Sequence, residues 1–243
     1  MILAAYSRGQ ASIETKLIKG SMAAIGMGYK QILPLCPPEV DVACHNGPDS
    51  STISGPADVT AQFVAELSAK GIFAKTVPSA NIAYHSRYIA AAGSNLLQML
   101  KKVIKNPRLR SERWVSTSVP QEDWNNAAAK YCSPEYQTNN LLNPVLFEET
   151  SRMIPNNAIL IEIAPRGLLQ AILKRSVSPD CFNISLTKKG DGNVIHLLQT
   201  IGKLYIEGCT PDIKALYPKV ELPVTAGTPM LSQLVEWMHL QEW

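Results

Sequence analysis

Two side chains of this 243-residue chain have a type and setting that could do chemistry, His85 and Arg8. His85 stands in the run Asn81-Ile82-Ala83-Tyr84-His85-Ser86, at the junction between a predicted strand and a long helix starting at Ser86. The positive end of a helix disfavours an imidazolium and keeps the ring neutral. That is the state a general base needs before it takes a proton from a hydroxyl. No neighbour in the sequence identifies a nucleophile for it, so a structurally satisfied histidine fits the same run. Arg8 lies in Tyr6-Ser7-Arg8-Gly9-Gln10. Its planar fork can hold a carboxylate through two parallel hydrogen bonds, and an ordinary surface arginine is the alternative. His45, His196 and His239 form no metal-ligand spacing with the cysteines.

The missing motifs narrow the chemistry further. No Gly-x-Ser triplet occurs anywhere, so the strained strand-to-helix elbow that presents a nucleophilic serine has no place in these residues. There is no phosphate-binding Walker loop and no G-x-G-x-x-G; Gly26-Met27-Gly28 and Gly190-Asp191-Gly192 read as turns. Cys36, Cys44, Cys132, Cys181 and Cys209 lack C-x-x-C spacing, and an odd number leaves one unpaired in any disulfide scheme. A reduced, cytoplasmic chain is the expectation.

The elements that must position these residues follow from periodicity. Ile2, Leu3, Tyr6, Ile13 and Leu17 fall at near-helical spacing up to about Lys19, with Gly20 as a stop. With no N-cap residue ahead of Ile2, this helix reads as entered from its middle, as in a truncated chain whose Met1 is internal. From Ser21 to about Val77 the pattern is strand, short helix, strand, strand, helix, strand, a βαββαβ order that matches a ferredoxin-like unit. Its second helix is the best marked: Gly55-Pro56 opens it, Phe63, Val64 and Leu67 share a face, and Gly71 suits the left-handed position behind it.

After Ser86 a long helix carries Ile89, Leu96, Leu97, Leu100, Val103 and Ile104 until Asn106-Pro107. Alternating pieces follow: a strand at WVSTSV, a helix after Asn143-Pro144, a strand at AILIEIA, a helix at RGLLQAILKRS and a strand at CFNISL. Such alternation argues for a largely parallel sheet covered on both faces. A last helix spans Asn193 to Gly208. Beyond it Pro211, Pro218, Pro223 and Pro229 predict an extended tail, in which exposed Trp237 and Trp243 would want a partner.

Composition sets the class. At 46% apolar and 18% charged the chain can bury a sizeable core, and no apolar run approaches the ~20 residues of a membrane span. A formal charge of +3 gives no argument for nucleic acid or an anionic membrane as partner. The basic cluster Lys101, Lys102, Lys105, Arg108, Arg110 and Arg113 reads as the solvated C-terminal end of a helix, with a partner-binding patch as the alternative.

Several stretches in order, AAYSRGQ, SMAAIG, CHNGPDSSTISGP, FAKTVPSANIAYHS, YQTNNLLNPVLFEET and EIAPRGLLQAILKR, resemble the malonyl/acetyltransferase domain of animal type I fatty acid synthases. GKLYIEG, ALYPKVELPV and GTPMLSQLVEW resemble the linker that follows that domain. The resemblance implies an α/β-hydrolase-like large subdomain, here incomplete (1–19 and 85–190), with an inserted ferredoxin-like small subdomain (20–84) and a linker region (191–243). It implies a ping-pong transfer of malonyl or acetyl from coenzyme A, through an acyl-serine, to the phosphopantetheine thiol of an acyl carrier protein, with no bound cofactor. Ketosynthase and linker domains of the same synthase are the further partners implied.

By the same resemblance His85 matches the general base, Arg8 the arginine that receives the malonyl carboxylate, and Asn140 the place where backbone helps orient the histidine. Ser7 and Arg166 stand where members often have tryptophan and histidine. The elbow serine, the oxyanion loop and the first strands of the large sheet are expected before Met1, so the chain is expected to be inactive alone. The alternatives are a non-catalytic interaction module and the acyltransferase domain of an animal-type polyketide synthase.

Overall fold

The computed structural model describes residues 2–219 together with 222, 223 and 227. The opening helix α1 (Ile2–Glu14) buries Ser7, Ala11 and Ser12 and leaves Ile2, Leu3, Tyr6 and Ile13 exposed. It is followed by β1 (Gly20–Ile25), α2 (Tyr29–Ile32), β2 (Asp41–Gly47), β3 (Ser50–Pro56), α3 (Ala57–Ala69) and β4 (Ala74–Val77). These strands lie in the order β4-β1-β3-β2, the arrangement expected of a ferredoxin-like unit, with antiparallel pairing throughout. Ala23, Ile25, Val42 and Ile53 of the sheet pack on Ile32, Phe63 and Leu67 of the helices. Gly71 takes φ +75° behind α3, and Ile72 N–H returns to the Leu67 carbonyl, the left-handed stop that glycine allows without a Cβ clash.

The next segment is not one long helix. A 3-10 stretch, Arg87–Ala92, precedes α4 (Gly93–Val103). Ser86 caps it by accepting from the Tyr88 amide, and Ile89, Ala92, Leu96 and Leu100 pack against Ala11 of α1. Then come β5 (Arg108–Leu109), α5 (Ala127–Lys130), β6 (Tyr131–Cys132), α6 (Pro134–Leu142), β7 (Val145–Leu146), α7 (Phe147–Ser151), β8 (Ile159–Glu162), α8 (Gln170–Ser176) and β9 (Phe182–Ser185). β5 pairs with β6 and β8 runs parallel to β9. β7 joins the small sheet as a fifth strand, parallel to β2, pairing Val145 with Cys44 and Leu146 with His45.

The expected strand at WVSTSV does not form. Ser116 and Ser118 are buried there; Ser116 Oγ accepts from the Ser118 amide two residues on and meets Tyr136 Oη of α6, and Ser118 Oγ accepts from Asn140 Nδ2 of the same helix. Such short side-chain bonds compete with a ladder. The basic cluster divides as well: Lys101 pairs with Glu135, while Arg110 donates to the carbonyls of Ala129, Trp114 and Trp124 and lies over the Trp124 ring.

Residues 192–243 make a second unit, built on α9 (Asn193–Ile206), in which Thr200 and Leu204 are buried. Trp237 and Trp243 lie outside the described residues. Among the described residues no helix is long and apolar enough to cross a membrane.

Candidate active site

Three elements bring the candidate residues together: α1 supplies Arg8 from its middle, the turn after β4 supplies His85, and α6 supplies Asn140 and, at its C-cap, Asn143. Arg8 Nη2 lies 3.2 Å from His85 Nε2, and Arg8 Nη1 donates to Asn140 Oδ1 at 2.8 Å. His85 Nδ1 is 3.0 Å from the Asn143 carbonyl oxygen. These contacts fix the tautomer, because a guanidinium only donates and a carbonyl only accepts. Nδ1 therefore carries the hydrogen and Nε2 presents its lone pair to Arg8.

Burial, and after it the Arg8 charge, hold the imidazole below the usual histidine range, against the pull of the Asn143 and Asn140 carbonyls. The neutral ring expected from the sequence is thus obtained by a different cause. Desolvation and a neighbouring cation act here; the helix behind Ser86 begins as a 3-10 turn. Burial lowers the Arg8 pKa too, opposed by Tyr84 and Cys44, and the guanidinium lies 5.9 Å from the Tyr84 ring.

The loop that carries His85 is held in an uncommon shape. Ala80, Asn81 and His85 have φ of 53°, 59° and 56°, a region that non-glycine residues rarely occupy and that clusters at functional sites. Gly20 lets this loop close on β1: its N–H bonds the Asn81 carbonyl at 2.8 Å, and a Cβ there would lie 2.3 Å from Ala83 N. The Ser86 hydroxyl donates to the Ala83 carbonyl and ties the loop from the other side.

The Asn140 carbonyl acts on the His85 ring beside that of Asn143, and Asn140 contributes its side chain as well. The carbonyl that receives His85 Nδ1–H is that of Asn143, while the Asn140 side chain holds Arg8 with its oxygen and donates from Nδ2 to Ser118 Oγ at 2.6 Å. Asn143 and Ser118 are site residues that sequence reasoning missed. The signal for Asn143 was the polar run YQTNNLLN, whose asparagines recur at helical spacing; Ser118 had none. Ser7 is buried and donates to the Leu3 carbonyl of its own helix.

A cavity of about 700 Å³ opens on Arg8, floored by Leu96, Leu100 and Ile104 and edged by Lys105 and Arg108. Among the described residues no group of three or more His, Cys, Asp or Glu could hold a metal ion.

Residues 1–211 match the family described as the acyl transferase domain. The chain belongs to that family. The low-reducing polyketide synthase drtA of Aspergillus calidoustus is 31% identical over 92% of this chain, and the highly reducing polyketide synthase rstn3 of Aspergillus nomiae is 29% identical over 85%. The chain spans about a tenth of the length of these curated relatives (10% and 9%). Its fold is that of a loading acyltransferase from the avermectin modular polyketide synthase, with a TM-score of 0.71 at 20% identity over 84% of this chain and 64% of that one. The malonyl CoA-acyl carrier protein transacylase of Coxiella burnetii matches with a TM-score of 0.64 at 20% identity over 83% and 63%. Mixed α/β acyltransferase architecture is thereby established, and the synthases named by these relatives are polyketide synthases.

Proposed function

We propose that this chain carries the general base and the carboxylate clamp of a malonyl/acetyl-CoA:acyl-carrier-protein transacylase, within an animal-type fatty acid synthase. What supports the reading is the Arg8–His85–Asn143 chain of hydrogen bonds: a neutral imidazole in a fixed tautomer, with its Nε2 lone pair turned to the Arg8 guanidinium. The resemblance of AAYSRGQ, FAKTVPSANIAYHS and the linker stretches supports the fatty acid synthase assignment. Since no Gly-x-Ser elbow lies in these 243 residues, the reading takes the nucleophilic serine from elsewhere in the synthase.

In the proposed cycle the serine hydroxyl gives its proton to His85 Nε2 as Oγ bonds to the thioester carbonyl carbon. Collapse of the tetrahedral adduct breaks the carbon–sulfur bond, and the coenzyme A sulfur leaves with the proton from Nε2. The carrier's phosphopantetheine thiol then yields its proton to Nε2, its sulfur takes the acyl group, and the serine leaves reprotonated. The Asn143 carbonyl stabilises the imidazolium formed in both halves. The Arg8 fork meets the free carboxylate of malonyl, which acetyl lacks.

The test uses the full-length synthase and kcat/KM for each acyl-CoA. Arg8→Ala is expected to depress malonyl transfer by orders of magnitude more than acetyl transfer, and Arg8→Lys to recover little of it for want of a second parallel donor. His85→Ala should depress both alike. An equal loss of both substrates in Arg8→Ala would make Arg8 structural and remove the clamp.

A second reading, an acyltransferase domain of a polyketide synthase, is favoured by the names of the curated relatives. The domains encoded downstream in the same reading frame separate the two.

A further inference from the structure

The ring of His85 is aimed by the Asn143 carbonyl, so whatever holds residues 143–146 holds the base. Upstream, α6 does so: the Asn143 amide bonds the Asn139 carbonyl and its Nδ2 bonds Asn139 Oδ1. Downstream, residues 145–146 are β7, and their partners on β2 are Cys44 and His45. β2 pairs with β3 through register shifts on both sides of this pair, between Val42 and Cys44 and between His45 and Gly47. Bulges of this kind bend a strand and re-aim its side chains, and they gather beside active sites. Here they bracket the two residues that receive β7.

His45 also grips the chain beyond β7. Its Nδ1–H donates to Glu149 Oε1 of α7 at 2.6 Å, and its ring stacks on Tyr29 with centroids 3.7 Å apart and planes 2° from parallel. The ring is therefore fixed by its face and by its edge. Glu149 Oε2 is buried and has no hydrogen-bond partner, so the carboxylate depends on His45 for its satisfaction. One residue of the small sheet thus holds both ends of the Val145–Glu149 segment, by backbone pairing at Leu146 and by side chain at Glu149.

We propose that His45 and Glu149 are positioning residues for His85: their bond braces residues 143–149, of which the first carbonyl, that of Asn143, keeps the His85 hydrogen on Nδ1. The consequence for acyl transfer rests on the reading of His85 as general base, and the brace itself does not. The experiment is ¹⁵N-histidine NMR of the 243-residue chain, in which a ring locked in one tautomer gives one protonated and one unprotonated nitrogen signal. His45→Leu and Glu149→Leu are expected to move the two His85 signals toward each other as the tautomers mix. His45→Asn, whose amide can donate to Glu149 in place of Nδ1, should keep them apart. Val64→Ala, elsewhere in the small unit, is the control for general loosening. If a leucine variant does not fold, Glu149→Gln carries the test, because a neutral acceptor weakens the bond without removing it and should give an intermediate displacement. Unmoved His85 signals in folded variants would overturn the brace, as would equal displacement in Val64→Ala. In the full-length synthase His45→Leu should lower kcat for malonyl and acetyl alike, by part of the roughly 10²–10⁴-fold a general base contributes. Displaced NMR signals with unchanged kcat would leave the brace standing and refute His85 as the base.

Discussion

The small unit and the region from Trp114 to Leu186 are built by opposite strategies. The small unit has four antiparallel strands, and Ala23, Ile25, Ile32, Ile53 and Leu67 in its core are essentially inaccessible to solvent. The later region has a two-stranded parallel ladder, β8 on β9, in which Ile161 is 46% exposed and Ile163 beyond it 85% exposed. Parallel sheets are stable when covered on both faces, and this one leaves apolar side chains open. The site lies on the well-packed side of this contrast: His85 leaves the small unit, and its carbonyl partner, Asn143, caps α6, whose Leu141 is fully buried against α1 and α4. The most open apolar side chains of the later region lie from β8 onward.

Hydrogen exchange sharpens that comparison most. Amides of β1 and β3 should exchange only with global opening, and those of β8 and β9 by local opening, a difference of several kcal/mol in protection. Equal protection would erase the distinction. Core truncation comes next: Ile53→Ala should cost about 2–5 kcal/mol in urea unfolding, and Ile184→Ala clearly less, because its surroundings are already partly solvated. An Ile184→Ala loss as large as that of Ile53→Ala would mean the β8–β9 ladder is packed as well as the small sheet.

Within the looser region polar bonds carry proportionately more. The Glu162 carboxylate, 8% exposed, accepts from the Leu168 and Leu169 amides and from Gln170 Nε2, so it fixes the whole turn between β8 and α8. Glu162→Ala should cost about 1.5–3 kcal/mol, the range for hydrogen bonds to a charged group. Proteolysis should then begin in residues 163–169; unaltered resistance there would assign the order of this turn to packing.

The smallest effect is that of pH. The folded pKa of His85 lies below the ordinary ~6.5, so between the two values the unfolded chain binds more protons. Stability should rise with pH through that window, and the contribution is lost as pH falls below about 6.5 toward the folded value. Denaturation at pH 7.5 and 5.5 should show a larger loss for the wild type than for His85→Asn. Identical losses would mean the ring is not held neutral by its surroundings.

What the sequence disclosed follows the same division. The ferredoxin-like order was legible because each of its elements carries its own period and its own stop, as with Phe63, Val64 and Leu67 ahead of Gly71. The strand predicted at WVSTSV failed because alternation alone cannot tell a ladder from a serine-rich loop whose hydroxyls bond a neighbouring amide and the side chains of α6. His85 and Arg8 were legible by type, and their juxtaposition by no local signal, since 77 residues separate them. Asn143 escaped because it acts through its carbonyl, a group every residue has. The positive φ at Ala80 and His85 escaped because neither is glycine.

The fifth strand of the small sheet redraws the seams of the molecule. A transplant of residues 20–84 from another member of the family would remove the β2 edge onto which Val145 and Leu146 zip, and with it the histidine that reaches Glu149. The recipient would keep His85's partner in sequence and lose its alignment in space, while the excised piece would expose an unpaired edge prone to associate with itself. A modular exchange that respects the architecture carries residues 143–149 along with the sheet they complete.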